Sequence, residues 1–182
     1  MSMIEYADDF VSTQLNPGFW DTTLINKNCF EHTQEVSAPA WSLKITLHPH
    51  DHNGTGSNQT ITERAEIAER ETVAASLGES VWYGFSVYIP EDFIVRDSRL
   101  VFAQWKQAGS GKSPEWALRY RNGRVHFTVE TDAEREVYEA PPTPKGVWHR
   151  FLVHHKIDPD RTAYCEAFMD NIQFAEFSGK IE

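Results

Sequence analysis

Residues 99–130 read RLVFAQWKQAGSGKSPEWALRYRNGRVHFTVE, and the pattern of this stretch decides the fold class. It divides into strands at Leu100–Gln107, Glu115–Arg121 and Arg124–Glu130, joined by a Gly/Ser/Pro loop at Ala108–Pro114 and an Asn-Gly pair at Asn122–Gly123. Asn and Gly tolerate the positive φ angles of a type I′ turn, so the pair between two alternating runs predicts a tight hairpin and sets its register. Alternation with period two then sorts the side chains. One face takes Gln104 and Lys106, then Arg119 and Arg121, then Arg124, His126 and Thr128. The other takes Val101, Ala103 and Trp105, then Trp116, Leu118 and Tyr120, then Val125, Phe127 and Val129. From Arg99 to His126 the local charge balance is +5 inside a chain of net charge −10. That contrast marks the polar face, with Arg119, Arg121 and Arg124, as a surface for an anionic or polyhydroxylated ligand.

The flanking sequence continues in the same style. Ile4–Phe10 reads as an edge strand, followed by a turn at Asn16–Gly18 and an apolar patch at Phe19–Trp20. Further strands are expected at Trp41–Leu47, Thr62–Arg70, Ser80–Ile89, Arg135–Tyr138, Gly146–Ile157, Tyr164–Asp170 and Ile172–Phe177, with a turn at Asp170–Asn171. In Thr62–Arg70, TERAEIAER, alternation puts Arg64, Glu66 and Arg70 on one face and Ala65 and Ile67 on the other. Many short strands, frequent turn signals and almost no helical period predict an all-β, antiparallel two-sheet sandwich, a jelly roll of the concanavalin A type. One sheet of such a fold usually curves into a groove.

At 182 residues the chain has the length of one domain with a substantial core. Its acidic balance argues against nucleic acid or an anionic membrane as partner. No run of about 18 apolar residues is present, so no membrane-spanning helix is expected. The N-terminus lacks a basic segment followed by an apolar one, so either the protein stays inside the cell or it is secreted or periplasmic after loss of a leader. The sequence leaves the oligomeric state open.

His48, His50 and His52 surround Asp51 in HPHDHNGTGSNQ. Spacing by two can line up imidazoles, but Pro49 and the Asn/Gly run predict an irregular, solvated loop without a second ligand cluster, and no metal site is assigned there. Cys29 and Cys165 match no metal-ligand spacing and read as two free, buried thiols.

Five pieces taken in order carry a resemblance: Arg64-Ala-Glu66-Ile, WYGFSVYIPEDF at Trp82–Phe93, FAQWK at Phe102–Lys106, WALRYRNGRVHF at Trp116–Phe127 and GVWHRFLVHHKIDPD at Gly146–Asp160. Together they resemble the heparin-lyase-like polysaccharide lyases, β-jelly-roll enzymes related to the alginate and glucuronan lyases, over about residues 60–175. The resemblance implies β-elimination on an anionic, uronic-acid-containing polysaccharide. The proton to be removed lies α to an ionised carboxylate, so a lyase must neutralise that carboxylate, supply a base for C5–H and supply an acid for the departing C4 oxygen.

Carried over residue by residue, Arg64 matches the arginine of the family's Arg-x-Glu strand, with Glu66 holding it. Gln104 matches the amide of the Gln-x-His strand, where Lys106 stands in place of the histidine. Lysine can neutralise a carboxylate, but as a base it needs a lowered pKa. His126 is the replacement base this sequence offers. The family's final Tyr-Phe-Lys-x-Gly-x-Tyr strand, source of its catalytic tyrosine, has no counterpart before Glu182, leaving Tyr120 and Tyr138 as candidate tyrosines at the substrate. No cofactor is required by this chemistry, although the acidic loops would accept a structural calcium. A non-catalytic carbohydrate-binding jelly roll, or a structural one, fits the same fold. A glycoside hydrolase would need two facing carboxylates, for which Glu66 and Glu130 are the candidate pair.

Overall fold

The computed structural model describes residues 8, 10, 14–21, 27–36, 41–48, 65–94, 100–106, 113–131, 133–158 and 162–181. The chain divides into two compact units, Met1–Ala74 and Ala75–Glu182. Expectations at Arg64, at most of Ile4–Phe10, at His50 and His52 and in the Ala108–Lys112 loop lie outside the described residues.

In the first unit, β1 (Trp20–Asp21) pairs with β4 (Ala68–Glu69), and β2 (Phe30–Thr33) pairs with β3 (Ser42–Ile45), both antiparallel. The Asp8 carboxylate organises the Asn16–Gly18 turn, accepting from the Trp20 indole N–H at 2.9 Å and the Asn16 backbone N–H at 3.0 Å. Of the expected strand Thr62–Arg70, the described residues begin at Ala65, and among them Ala68–Glu69 pair with β1. The alternation is nevertheless kept, with Glu66 and Arg70 exposed and Ala65 and Ile67 half-buried.

The second unit is an antiparallel sandwich. Its strands are β5 (Ser80–Tyr88), β6 (Leu100–Trp105), β7 (Trp116–Arg121), β8 (Arg124–Glu130), β9 (Arg135–Glu139), β10 (Trp148–Ile157), β11 (Thr162–Met169) and β12 (Ile172–Lys180). They form two four-stranded sheets ordered β6-β7-β8-β9 and β12-β11-β10-β5. Leu118, Val125, Phe127 and Val129 from the first sheet and Val153 and Ala167 from the second are fully buried. Each large aliphatic or aromatic side chain so buried contributes about 1.5–3 kcal/mol. Both tight turns are of the expected kind: Asn122 and Gly123 have φ of 54° and 78°, and Asp170 and Asn171 have φ of 52° and 69°.

A polar cluster sits inside this core. The Trp116 indole N–H donates to His155 Nδ1 at 2.6 Å, and the edges of Tyr83 and Trp105 meet the same imidazole. Burial, with the neighbouring His154 adding to it, pushes His155 down to about 4, so it is a neutral core histidine at physiological pH. Cys29 and Cys165 are both buried and free, as expected.

One face assignment is corrected. The register shifts between Val101 and Ala103, so Val101 lies opposite Arg119 while Ala103 lies opposite Leu118. A bulge places an extra residue in β6, which moves Val101 to the polar face and lets Leu100, Phe102, Ala103 and Trp105 all pack on the core.

Candidate active site

The Asn122–Gly123 turn sets the polar face of the first sheet. Counting outward from Arg121 opposite Arg124, the ladder brings Arg119 directly opposite His126. On the far side of His126 lies Glu139. A cross-strand row therefore runs Val101, Arg119, His126, Glu139, with neighbouring Cβ atoms about 4.5–5.5 Å apart. The next row is Gln104, Ala117, Thr128, Val137.

Arg119 is only 7% exposed, an unusual position for a guanidinium, which rarely leaves water without compensation. His126 is half-buried and Gln104 and Lys106 are exposed. Gln104 lies two strands and one row from His126, about 12 Å between Cα atoms at the usual strand and residue spacings. Arg119 lies on the strand between them. Ion pairs close both ends of the face: Arg124 with Glu139 beside the turn, and Arg135 Nε with Glu130 at 2.7 Å at the other end.

The sequence-derived candidates separate accordingly. Arg119, His126 and Gln104 are on one face, Arg121 and Arg124 lie at its turn end, and Lys106 follows the last residue of β6. Glu66 belongs to the first unit and is exposed. Tyr120 and Tyr138 do not join this face: their cross-strand neighbours are the core residues Val125 and Phe127. Tyr120 is 2% exposed, and its buried hydroxyl has no hydrogen-bond partner among the described residues. Burial raises its pKa. Tyr138 is raised by burial, then by Glu136 and the Cys165 thiol. Their register explains the correction, because each is an odd number of residues from the polar positions on its strand.

Sequence reasoning treated Arg119 as one of several basic contacts and missed that it neighbours His126. The signal was present, since a two-residue turn lets the ladder be counted from Arg121 and Arg124. Glu139 was missed because β9 joins the sheet through a longer connection, from which no register can be counted.

Among the described residues no group of three or more His, Cys, Asp or Glu side chains is placed to hold a metal ion. The chemistry available on this face is that of a cation and an amide, which can neutralise a carboxylate, beside an imidazole, which can move a proton.

Comparison with known proteins bears on the fold and the family. The chain resembles the crystal structure of an endo-β-1,4-glucuronan lyase from the fungus Trichoderma reesei, with a TM-score of 0.60 and 18% sequence identity, over 84% of this chain and 68% of that one. No curated protein matches the chain significantly. At that identity the likeness speaks for the fold, a β-jelly roll. The sequence profile of the polysaccharide lyases matches residues 16–181, nearly the whole length, and the chain belongs to the polysaccharide lyase family.

Proposed function

We propose that this protein cleaves a uronic-acid-containing polysaccharide by β-elimination, on the polar face of β6–β9. The observation that carries the reading is the buried Arg119 guanidinium directly opposite His126. Elimination needs such a pairing, because the carboxylate to be neutralised and the proton to be removed sit on adjacent carbons of the same sugar.

In this reading Arg119 takes the uronate carboxylate through its planar fork, and the Gln104 amide hydrogen-bonds it from the edge strand. Charge that spreads onto the carboxylate as C5–H breaks is then met by donors already in place. His126 removes the C5 proton, the C5–H electron pair becomes the C4–C5 double bond, and the C4–O bond breaks. The imidazolium formed in the first step returns the proton to the departing oxygen. Lys106 would add positive charge for a neighbouring sugar carboxylate. Electrostatic stabilisation and proton transfer together supply the catalysis, and no metal enters any step.

The test is absorbance during incubation with glucuronan, alginate, heparin-type and chondroitin-type chains, with and without calcium. Each elimination leaves a conjugated 4,5-unsaturated uronate at a new non-reducing end. A rising signal on one polymer, abolished in His126→Ala, is the expected result. A flat trace over the whole panel from folded protein overturns the reading in favour of a carbohydrate-binding jelly roll.

A further inference from the structure

The outward face of the other sheet carries a second constellation, remote in the ladder from Arg119 and His126. Along β5 and β10 the register gives four cross-strand pairs on this face: Tyr88 with Trp148, Ser86 with Arg150, Gly84 with Leu152 and Trp82 with His154. From Trp82 to Tyr88 the strand extends about 20 Å. Trp82 is 53% exposed, and its indole lies flat against the His154 imidazole, with ring centres 4.1 Å apart and planes 2° from parallel.

His154 is itself clamped. Its Nδ1 meets Glu166 Oε2 at 3.0 Å, and its Nε2 meets the Ser80 hydroxyl at 2.8 Å. The carboxylate can only accept, so Nδ1 donates, which leaves Nε2 of a neutral ring to accept from Ser80. Glu166 also accepts from Gln173 Nε2 at 3.2 Å and from the Tyr164 hydroxyl. These bonds have the connectivity of a nucleophile, base and acid, but the hollow on this face does not lie at Ser80. It opens two turns of the pleat further on, where Gly84 has no side chain: a depression of about 510 Å³ lined by Gly84, Ser86, Arg150, Leu152, Phe168 and Asn171. The bonded relay therefore holds a tryptophan two residues from Gly84 on the same face, its ring centre 6.3 Å from that of Phe168 in the lining of the hollow. One indole face is spent on His154, and the ring remains half-exposed.

We propose that this face is a second, non-catalytic binding site for the polysaccharide, taking one uronate-bearing chain along β5 and β10. The Trp82 platform stacks on the apolar face of a sugar ring. The Tyr88 and Trp148 pair, with ring centres 5.6 Å apart, offers a second aromatic station at the other end. An immobilised aromatic ring binds with little conformational loss, which is why such residues dominate recognition surfaces. Arg150 and Lys156 are exposed on β10 on this same face and can meet the carboxylates of the chain, while the acidic groups around them, Glu166, Asp170 and Glu176, each have a hydrogen-bond partner within the protein. The anionic nature of the chain rests on the uronate reading above; the platform itself does not.

Affinity electrophoresis of the full chain through gels containing glucuronan, or an uncharged β-1,4-glucan, tests this directly. Trp82→Ala is expected to weaken retention by glucuronan about tenfold, with the elimination rate on short oligosaccharides unchanged. Gly84→Val fills the hollow without removing a contact, since a Cβ at Gly84 would stand 3.6 Å from Leu152 Cδ1, an ordinary packing distance. It is expected to weaken retention as well. Unchanged retention in either folded variant overturns the proposal, as does equal retention of the uncharged glucan by the unaltered protein. Retention is read without turnover, so a failure of elimination on the same preparations counts against the catalytic reading alone.

Discussion

At position 119 a guanidinium is buried to 7% exposure beside a half-buried imidazole, and the burial is what gives each of them its use. A cation shielded from water acts on a bound carboxylate at a lower effective dielectric than a surface lysine does. The expected consequence is a division of kinetic effects. His126→Ala lowers kcat by about 10²–10⁴-fold with KM little changed, the range for loss of a proton-transferring group. Arg119→Lys keeps the charge but loses the bidentate fork, so it lowers kcat/KM by about tenfold or more. Both are read from unsaturated-product absorbance, with near-ultraviolet circular dichroism to verify folding. Similar kinetics for His126→Ala and the parent would remove His126 from the mechanism. Tyr120 makes the opposite prediction. Its buried hydroxyl has no partner among the described residues, and such a group costs about 1–3 kcal/mol. Tyr120→Phe should therefore leave turnover unchanged and raise the urea midpoint, by up to about 1 kcal/mol of stability once lost ring polarity and local relaxation are allowed for. A loss of turnover in that variant would return Tyr120 to the catalytic face and break the register described above.

Among the elements, the hairpin of β11 and β12 depends on a turn whose two central residues, Asp170 and Asn171, are both left-handed. Asn171→Gly removes a side chain from a conformation that glycine adopts freely, and should stabilise the protein by about 0.5–1 kcal/mol. Asp170 has a second duty that forbids the same change there. Its carboxylate meets buried His149 Nδ1 at 2.9 Å and accepts the Arg150 backbone N–H at 2.8 Å, while His149 Nε2 donates to the Pro144 carbonyl at 2.8 Å. The turn is thereby clasped to β10 and to the connector before it. Asp170→Ala should cost about 1 kcal/mol, less than a fully buried charged hydrogen bond because the carboxylate is partly solvated. An unchanged thermal midpoint would show that the clasp adds nothing. These turns were legible in the sequence, since Asn-Gly and Asp-Asn declare themselves locally, and with the first of them the cross-strand meeting of Arg119 and His126 was legible too. The bulge at Val101 and Ala103 was not: VFA alternates no worse than its neighbours, and the extra residue is seen only against β7. Nor was the Trp82 clamp legible. It depends on β5 pairing with β10 across more than sixty residues, and no local signal sets the register of such a ladder.

For the molecule as a whole, the acid limb of stability should divide into two windows with different owners. His155 is 1% exposed and held at about 4 by burial, against 6.5 for an ordinary histidine. Between those values the unfolded chain binds a proton that the folded chain refuses, so stability falls as the pH drops from about 6.5 and levels out below about 4. The slope contributed by this residue is at most about 1.4 kcal/mol per pH unit, and its total is about 3 kcal/mol. Asp170 acts in the next window. Burial raises its carboxyl, but the Arg150 amide, His149 and the Arg150 charge outweigh it and hold the group below the usual aspartate range. Its contribution is complete above an unfolded value of about 3.9 and disappears as the pH falls through the lower folded value. His155→Asn separates the two, because an asparagine carbonyl can stand near the position of Nδ1, accept from the Trp116 indole at position 116 and carry no titrating charge. The variant should be less stable than the parent at pH 8, having lost ring packing against Tyr83 and Trp105, yet should lose less stability on going to pH 5. Urea midpoints of both proteins at pH 8, 6.5, 5 and 4 measure this, the other histidines cancelling in the difference. Parallel curves for parent and variant over that span would mean that His155 is not the buried neutral group on which the two sheets close.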